Sequence, residues 1–499
     1  MNIKNKLLAT LTVIVFVFSV ACGSVMTEPV LTDGQIPLPQ TSESLEDNVE
    51  KPAPESPSAG IEVSSQAQKD DEKPKPEFTG SKPEKPDSKP KPESKPESKS
   101  ESKSESKSEV IVEQPSSQSV SVNHNATVPT DEVRSIWISF LEYENILTNK
   151  SEAQFTKSIA QQFDVCRDFG LNTVVVQVRP FGDAIYKSEY FPSSYLFNGA
   201  QGGIGDEPFD ALSIMIREAR KRNLRIEAWI NPYRVTKDKS WSIHKENPAS
   251  AMLKTGDAVE YGGKITYNPA STAAQDLIVA GVYELVKNYD IDAIHFDDYF
   301  YPTTDADFDR DQFEIYKKMG GEKNLAQWRR DNVTNLMRRV HDTIKSVNKN
   351  ILFGIAPQGN NDNNLNNQYV DVKALIDEGL IDYLCPQMYF GFDNQACPYS
   401  ETLRMFNDMA KNKGVKIYTG LATYKFGKED SWAGKGKAEW IGTEDILARQ
   451  VNDARNLSEY GGFILFRYDT TFNYKDYYAN NPSVFKQVEA ELKNLKAII

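Results

Sequence analysis

The chain has 499 residues, 39% apolar and 26% charged, with 4 Cys, 4 His and a formal net charge of −13. That acidic balance excludes the concentrated basic face needed for phosphate recognition, so no nucleic-acid partner is expected. Four cysteines are too few for a disulfide scaffold, and the histidines lack HExxH or HxH spacing, so no metal and no cofactor are expected.

Residues 1–21 begin with Lys4 and Lys6, continue as a largely apolar run from Leu7 to Phe18, and end in Ser19-Val20-Ala21. This is the layout of a secretory signal, and the run falls short of the roughly 20 residues needed to span a bilayer. The small residues before Cys22 resemble the bacterial lipobox, which implies lipidation of Cys22 and a membrane anchor. Ser19 departs from the usual Leu. Residues 22–130 read as a disordered tether. Positions 24–130 hold 15 of the 26 prolines and one aromatic residue, Phe78, and Lys91–Glu109 repeats KPES and KSES units. Such a segment cannot bury enough apolar surface to offset its ordering entropy. About 100 flexible residues span roughly 55 Å on average. The expected location is therefore outside the cytoplasm, anchored to the cell membrane and reaching into the cell wall.

Residues 131–499 have a globular composition. Strand-like runs fall at 134–140, 173–179, 224–231, 291–297, 351–356, 381–389, 416–423 and 462–468. Amphipathic stretches alternate with them at 152–169, 209–223, 272–289, 325–347, 372–378, 399–413, 444–457 and 482–496. Eight βα units predict an α/β fold, a (β/α)8 TIM barrel with enlarged loops, expected to be monomeric. No GxGxxG follows any strand, which disfavours a dinucleotide-binding open sheet.

Alternate residues of a strand point to opposite sides. One set is polar towards the strand ends: Gln177 and Arg179 in the second strand, Glu227, Trp229 and Asn231 in the third, Gln387 and Tyr389 in the sixth, Arg467 and Asp469 in the eighth. The C-terminal ends of barrel strands carry the chemistry in this architecture. The fourth strand ends in His295-Phe296-Asp297-Asp298-Tyr299-Phe300-Tyr301-Pro302, with His295, Asp297 and Tyr299 expected inward. Two adjacent carboxylates repel, which separates their pKa values. Glycoside hydrolysis uses one acid to protonate the leaving oxygen and one carboxylate to support the cationic centre. Asp297 and Asp298 are the expected catalytic pair. Trp137, Trp229, Tyr233, Tyr299, Tyr301, Tyr389 and Tyr424 lie at or beyond strand ends, and such rings suit pyranose faces. The acidic run Asp305, Asp307, Asp309 and Asp311 resembles a calcium loop but lacks its Gly and terminal Glu. A Cys385–Cys397 bridge is a further option.

Residues 131 to about 440 resemble the glycosyl hydrolase-like 10 family of exported bacterial proteins. The resemblance rests on Arg134-Ser135-Ile136-Trp137, Gln177-Val178-Arg179-Pro180, Ala228-Trp229-Ile230-Asn231-Pro232-Tyr233-Arg234, Phe296–Pro302, Ala356-Pro357-Gln358-Gly359 and Pro386-Gln387-Met388-Tyr389. It implies a TIM barrel with glycosidase-type activity; a characterised relative cleaves bacterial wall glycan lacking stem peptides. Chitinase-like family 18 enzymes offer a more distant similarity. Their D-x-x-D-x-D-x-E motif places its first and last aspartates on Asp292 and Asp297, but its glutamate on Tyr299. The expected function is hydrolysis of N-acetylhexosamine-containing envelope glycan, most plainly peptidoglycan strands. Trp137, Arg179, Glu227, Trp229, Asn231, Tyr233, Arg234, His295, Tyr299, Tyr301, Gln358, Gln387, Tyr389, Tyr424 and Arg467 would contact the sugar. The alternative is a wall-glycan-binding lipoprotein without turnover.

Overall fold

A computed structural model of the chain describes residues 131–499. The expected signal, Cys22 and tether lie outside the described residues. Eight parallel strands close into one barrel: β1 (Val133–Ile138), β2 (Thr173–Arg179), β3 (Arg225–Ile230), β4 (Ala293–Phe296), β5 (Leu352–Ile355), β6 (Tyr383–Leu384), β7 (Lys416–Ala422) and β8 (Tyr460–Phe466). Each strand pairs with its neighbours in sequence, and β8 returns to β1 with Val133 opposite Gly462. Helices alternate with the strands, and their ends are written in the sequence. Glu152–Phe169 starts at a Ser151–Gln154 capping box and stops at Gly170, whose φ of 112° favours glycine. Leu325–Val347 is capped by Asn324.

Strands β4 to β6 are shorter than their apolar runs. Pro386 has no N–H to donate, so β6 pairing lapses after Leu384. Gln387 resumes it only as isolated bridges to Gln358 and Gly420. A hairpin of Ala258–Tyr261 and Lys264–Tyr267, outside the eight strand-like runs, also follows β3.

The core has two shells. Val174, Val176, Ile226, Ile294, Phe353 and Leu465 pack outward beneath the helices. Trp137, Val175, Trp229, Ala293, Tyr383, Tyr418, Ile464 and Phe466 fill the barrel interior. Tyr383 crosses that interior over Gly354, where an added Cβ would lie 1.9 Å from the Tyr383 ring, so only glycine fits.

Two expectations from strand alternation are corrected here. In β2 the register shifts between Gln177 and Arg179, so Gln177 stands opposite Trp229 but Arg179 opposite Ile230. One extra residue moves every later side chain to the other face. Arg179 accordingly lies over the Phe191 ring, 4.1 Å from its centroid, and is fully buried in the outer shell. In β8 the interior takes Ile464 and Phe466, the set opposite to Arg467.

At the N-terminal face, Glu132 binds Arg455 through Nε and Nη2, both at 2.9 Å, and accepts the Tyr460 hydroxyl at 2.8 Å. Arg455 Nη2 also donates to the Ile498 carbonyl, so the start of β1 is tied to the end of the chain.

Candidate active site

Asp297 directly follows β4, so its side chain continues the inward set of His295 one step nearer the mouth. Asp298 has a φ of 50°, a left-handed conformation uncommon for a residue with a Cβ. That turn sends the chain sharply into the β4 loop and sets the two carboxyls side by side. Asp297 is only 8% exposed. Its Oδ1 accepts the Asp298 amide at 2.9 Å and Gln387 Nε2 at 3.1 Å. Asp298 is ion-paired with Arg234 and accepts Asn231 Nδ2 at 3.2 Å. Asn231 Oδ1 is held in turn by Gln177 Nε2 at 2.6 Å, and Gln177 Oε1 accepts the Phe140 amide at 2.9 Å. Residues at or just after the ends of β2, β3, β4 and β6 thus converge on one acid pair, braced by the start of the helix that follows β1. Burial pushes the Asp297 carboxyl up to about 8, the charge of Asp298 adds to the rise, and Arg234 opposes it.

Below this layer the interior is polar but closed. Tyr383 donates its hydroxyl to Glu227 Oε2 at 2.6 Å and lies 2.8 Å from His295 Nδ1. Trp137 Nε1 donates to His295 Nε2 at 3.3 Å. Because His295 accepts at Nε2, its neutral ring carries the proton on Nδ1 and donates it to Tyr383. Burial lowers His295 to about 3, which keeps it neutral. Burial also raises Glu227 to about 6, with the Tyr383 bond opposing.

The rim holds other expected residues. Tyr389 and Tyr424 are half-buried and meet each other and Phe466, with ring centroids 5.4–6.0 Å apart. Gln358 is fixed by Asn363 on its side chain and by Asn364 on its backbone at 3.0 and 2.8 Å. The hydroxyls of Tyr299 and Tyr233 and the indole N–H of Trp229 are buried without a protein partner.

Several expected residues are engaged elsewhere. Arg179 faces the outer shell, as above. Tyr301 is fully buried, accepts Asn332 Nδ2 at 3.0 Å and lies under Arg329. Arg467 is paired with Glu142, whose carboxylate also caps the helix Phe140–Ile146, so it ties the end of β8 to the helix that follows β1. Asp292, the first aspartate of the family 18 overlay, sits at the opposite end of β4, bound to Arg220 and the Ile226 amide. The acidic run is not a cation loop: Asp309 is buried against Arg329, and Asp307 pairs with Arg310. Among the described residues no group of three or more His, Cys, Asp or Glu could hold a metal ion. Cys385 and Cys397 are free thiols. Gln177 and Tyr383 are not among the expected sugar contacts. Their inward position in the strands was the available signal, but neither carries chemistry on its own.

A closed barrel of eight parallel strands, carrying an acid pair where β4 ends, defines the molecule as a (β/α)8 protein with its candidate site at the C-terminal mouth. The chain belongs to the glycosyl hydrolase-like 10 family, which matches residues 132–438. It is 33% identical over 404 residues to glycosyl hydrolase YngK of Bacillus subtilis, with 76% of each chain covered. It is 32% identical over 372 residues to glycosyl hydrolase DigH of Escherichia coli K12, covering 68% of this chain and 83% of DigH. The glycoside hydrolase domain of PgaB from Bordetella bronchiseptica aligns with a TM-score of 0.45 at 14% identity, over 72% of this chain and 98% of that one.

Proposed function

We propose that this chain is an exported glycoside hydrolase that cleaves N-acetylhexosamine-containing glycan of the cell envelope, with peptidoglycan strands as substrate and a lipid on Cys22 as its anchor. The observation that carries this reading is the unequal acid pair. Asp297, raised to about 8, holds a proton at neutral pH, while Asp298 stands against a guanidinium. Two N–H groups point at Asp297 Oδ1, which leaves Oδ2 as the oxygen to carry the proton. In this mechanism Asp297 protonates the glycosidic oxygen as its bond to the anomeric carbon breaks, Asp298 supports the positive charge that develops at the sugar ring, and water adds to the anomeric carbon and returns a proton to Asp297. Gln387 and Asn231 hold the two carboxyls in place, and Tyr389 and Tyr424, backed by Phe466, offer ring faces to the pyranose. Membership of the glycosyl hydrolase-like 10 family and the names of its relatives support the reaction class.

The rival, a glycan binder without turnover, has one observation behind it. Tyr299 is buried at the position where family 18 carries its acid. Incubating the purified chain with peptidoglycan, intact and stripped of stem peptides, separates the two. Released fragments detected by mass spectrometry, and lost with Asp297→Asn, support the hydrolase. Strand binding without release from any preparation leaves the binder.

A further inference from the structure

We propose that Trp432 is the platform of a second sugar-binding subsite, which takes a hexosamine unit further along the strand held at the acid pair. This inference rests on the glycoside hydrolase reading.

Trp432 is 60% exposed, although an indole in water forgoes one of the largest burial gains of any side chain. Its exposure is not that of a loose loop. Asp430, buried and paired with Lys425 at 2.6 Å, accepts the Trp432 amide on its other oxygen at 3.4 Å. The next residue, Ala433, is buried and accepts the Gln395 amide at 3.0 Å. Glu439 accepts the amides of Phe392 and Asp393 at 2.8 and 2.9 Å, which joins the loops after β6 and β7. The backbone on both sides of Trp432 is thus pinned while its ring is presented to solvent.

The same anchors connect it to the acid pair. Lys425 Nζ donates to the Tyr389 carbonyl at 2.6 Å, and Tyr389 lies two residues beyond Gln387, the residue bonded to Asp297. Hydrogen bonds thus lead from Asp297 through Gln387 to the Tyr389 segment, and from the Tyr389 carbonyl through Lys425 and Asp430 to Trp432, in the loops that follow β6 and β7. A succession of flat apolar faces suits a polymer of pyranoses better than a single sugar, because each unit can stack on one ring.

The test uses the full chain, Trp432→Ala and Trp432→Phe, with peptidoglycan glycan strands stripped of stem peptides as the probe. Expected is about a tenfold rise in KM for Trp432→Ala with kcat near wild type, and recovery of most of the loss by Trp432→Phe. In the wild type, strands should also shield the exposed indole from acrylamide quenching, a fluorescence component that Trp432→Ala lacks. Cleavage of strands by Trp432→Ala with wild-type KM, or quenching unchanged by bound strands, would overturn the subsite alone. A wild-type chain that neither binds nor cleaves strands would overturn the hydrolase reading and the subsite with it.

Discussion

Glu227 and Asp297 are both inward carboxyls of the barrel, and burial raises both. They differ in what closes over them. Glu227 sits below a sealed chain of Tyr383, His295 and Trp137, each hydrogen-bonded to the next. Asp297 sits one layer higher, beside a second carboxyl, a guanidinium and two amides. A raised pKa alone therefore does not mark an acid catalyst. The shift has to coincide with a place where a strand ends and with a second charged group beside it.

The largest effect should come from breaking the upper pair. Asp297→Asn should lower kcat/KM on denuded strands by about 10²–10⁴-fold, the range for loss of a general acid. In the wild type, activity should fall as pH rises through about 8, where Asp297 loses its proton. Asp298→Asn should lower the rate by about 10²-fold. It should also move that alkaline limb downward, because the Asp298 charge raises Asp297; a limb that stays put would mean that another group controls it.

The lower layer should answer in stability rather than rate. Tyr383→Phe leaves Glu227 Oε2 and His295 Nδ1 without their shared partner and should cost about 1–3 kcal/mol in denaturant unfolding. The rate per folded molecule should stay near wild type. A rate loss as large as that of Asp297→Asn would erase the distinction between the layers.

Asp297 should also appear in the pH dependence of folding. A carboxyl raised in the folded state contributes stability that is fully present below its unfolded value near 4 and is lost as pH rises through about 8. Asp297→Asn should remove that decline, so the variant should be more stable than wild type at pH 8 and little changed at pH 4 in denaturant unfolding. The smallest effect should be at Arg179. Arg179→Met removes a buried guanidinium whose nitrogens have no hydrogen-bond partner, so activity should stay within about twofold and stability should hold or rise.

The barrel was legible because eight apolar runs alternate with amphipathic helices, and the acid pair because charge at a strand end stands out. What escaped had physical reasons. Alternation places Arg179 at the mouth, and the register shift between Gln177 and Arg179 reverses it. Tyr301 and Arg467 sit near strand ends and look like sugar contacts, yet each is held by a distant residue, Asn332 or Glu142, that no local pattern connects to it. The link from Gln177 through Asn231 to Asp298 joins three strands, and side-chain amides give no periodic signal of such a network.

The ties around Glu132 bear on how the domain can be held. The chain enters β1 at the face opposite the mouth, and its first described turn is clamped to Arg455, Tyr460 and, through Arg455, the carbonyl of Ile498. A pull applied through the N-terminus would meet this clamp before it reached the sheet. Beyond it, β1 would have to shear lengthwise against both β2 and β8, breaking many hydrogen bonds at once. The clamp and the strand order thus place the resistance to such a pull at the base of the barrel, on the face opposite its opening.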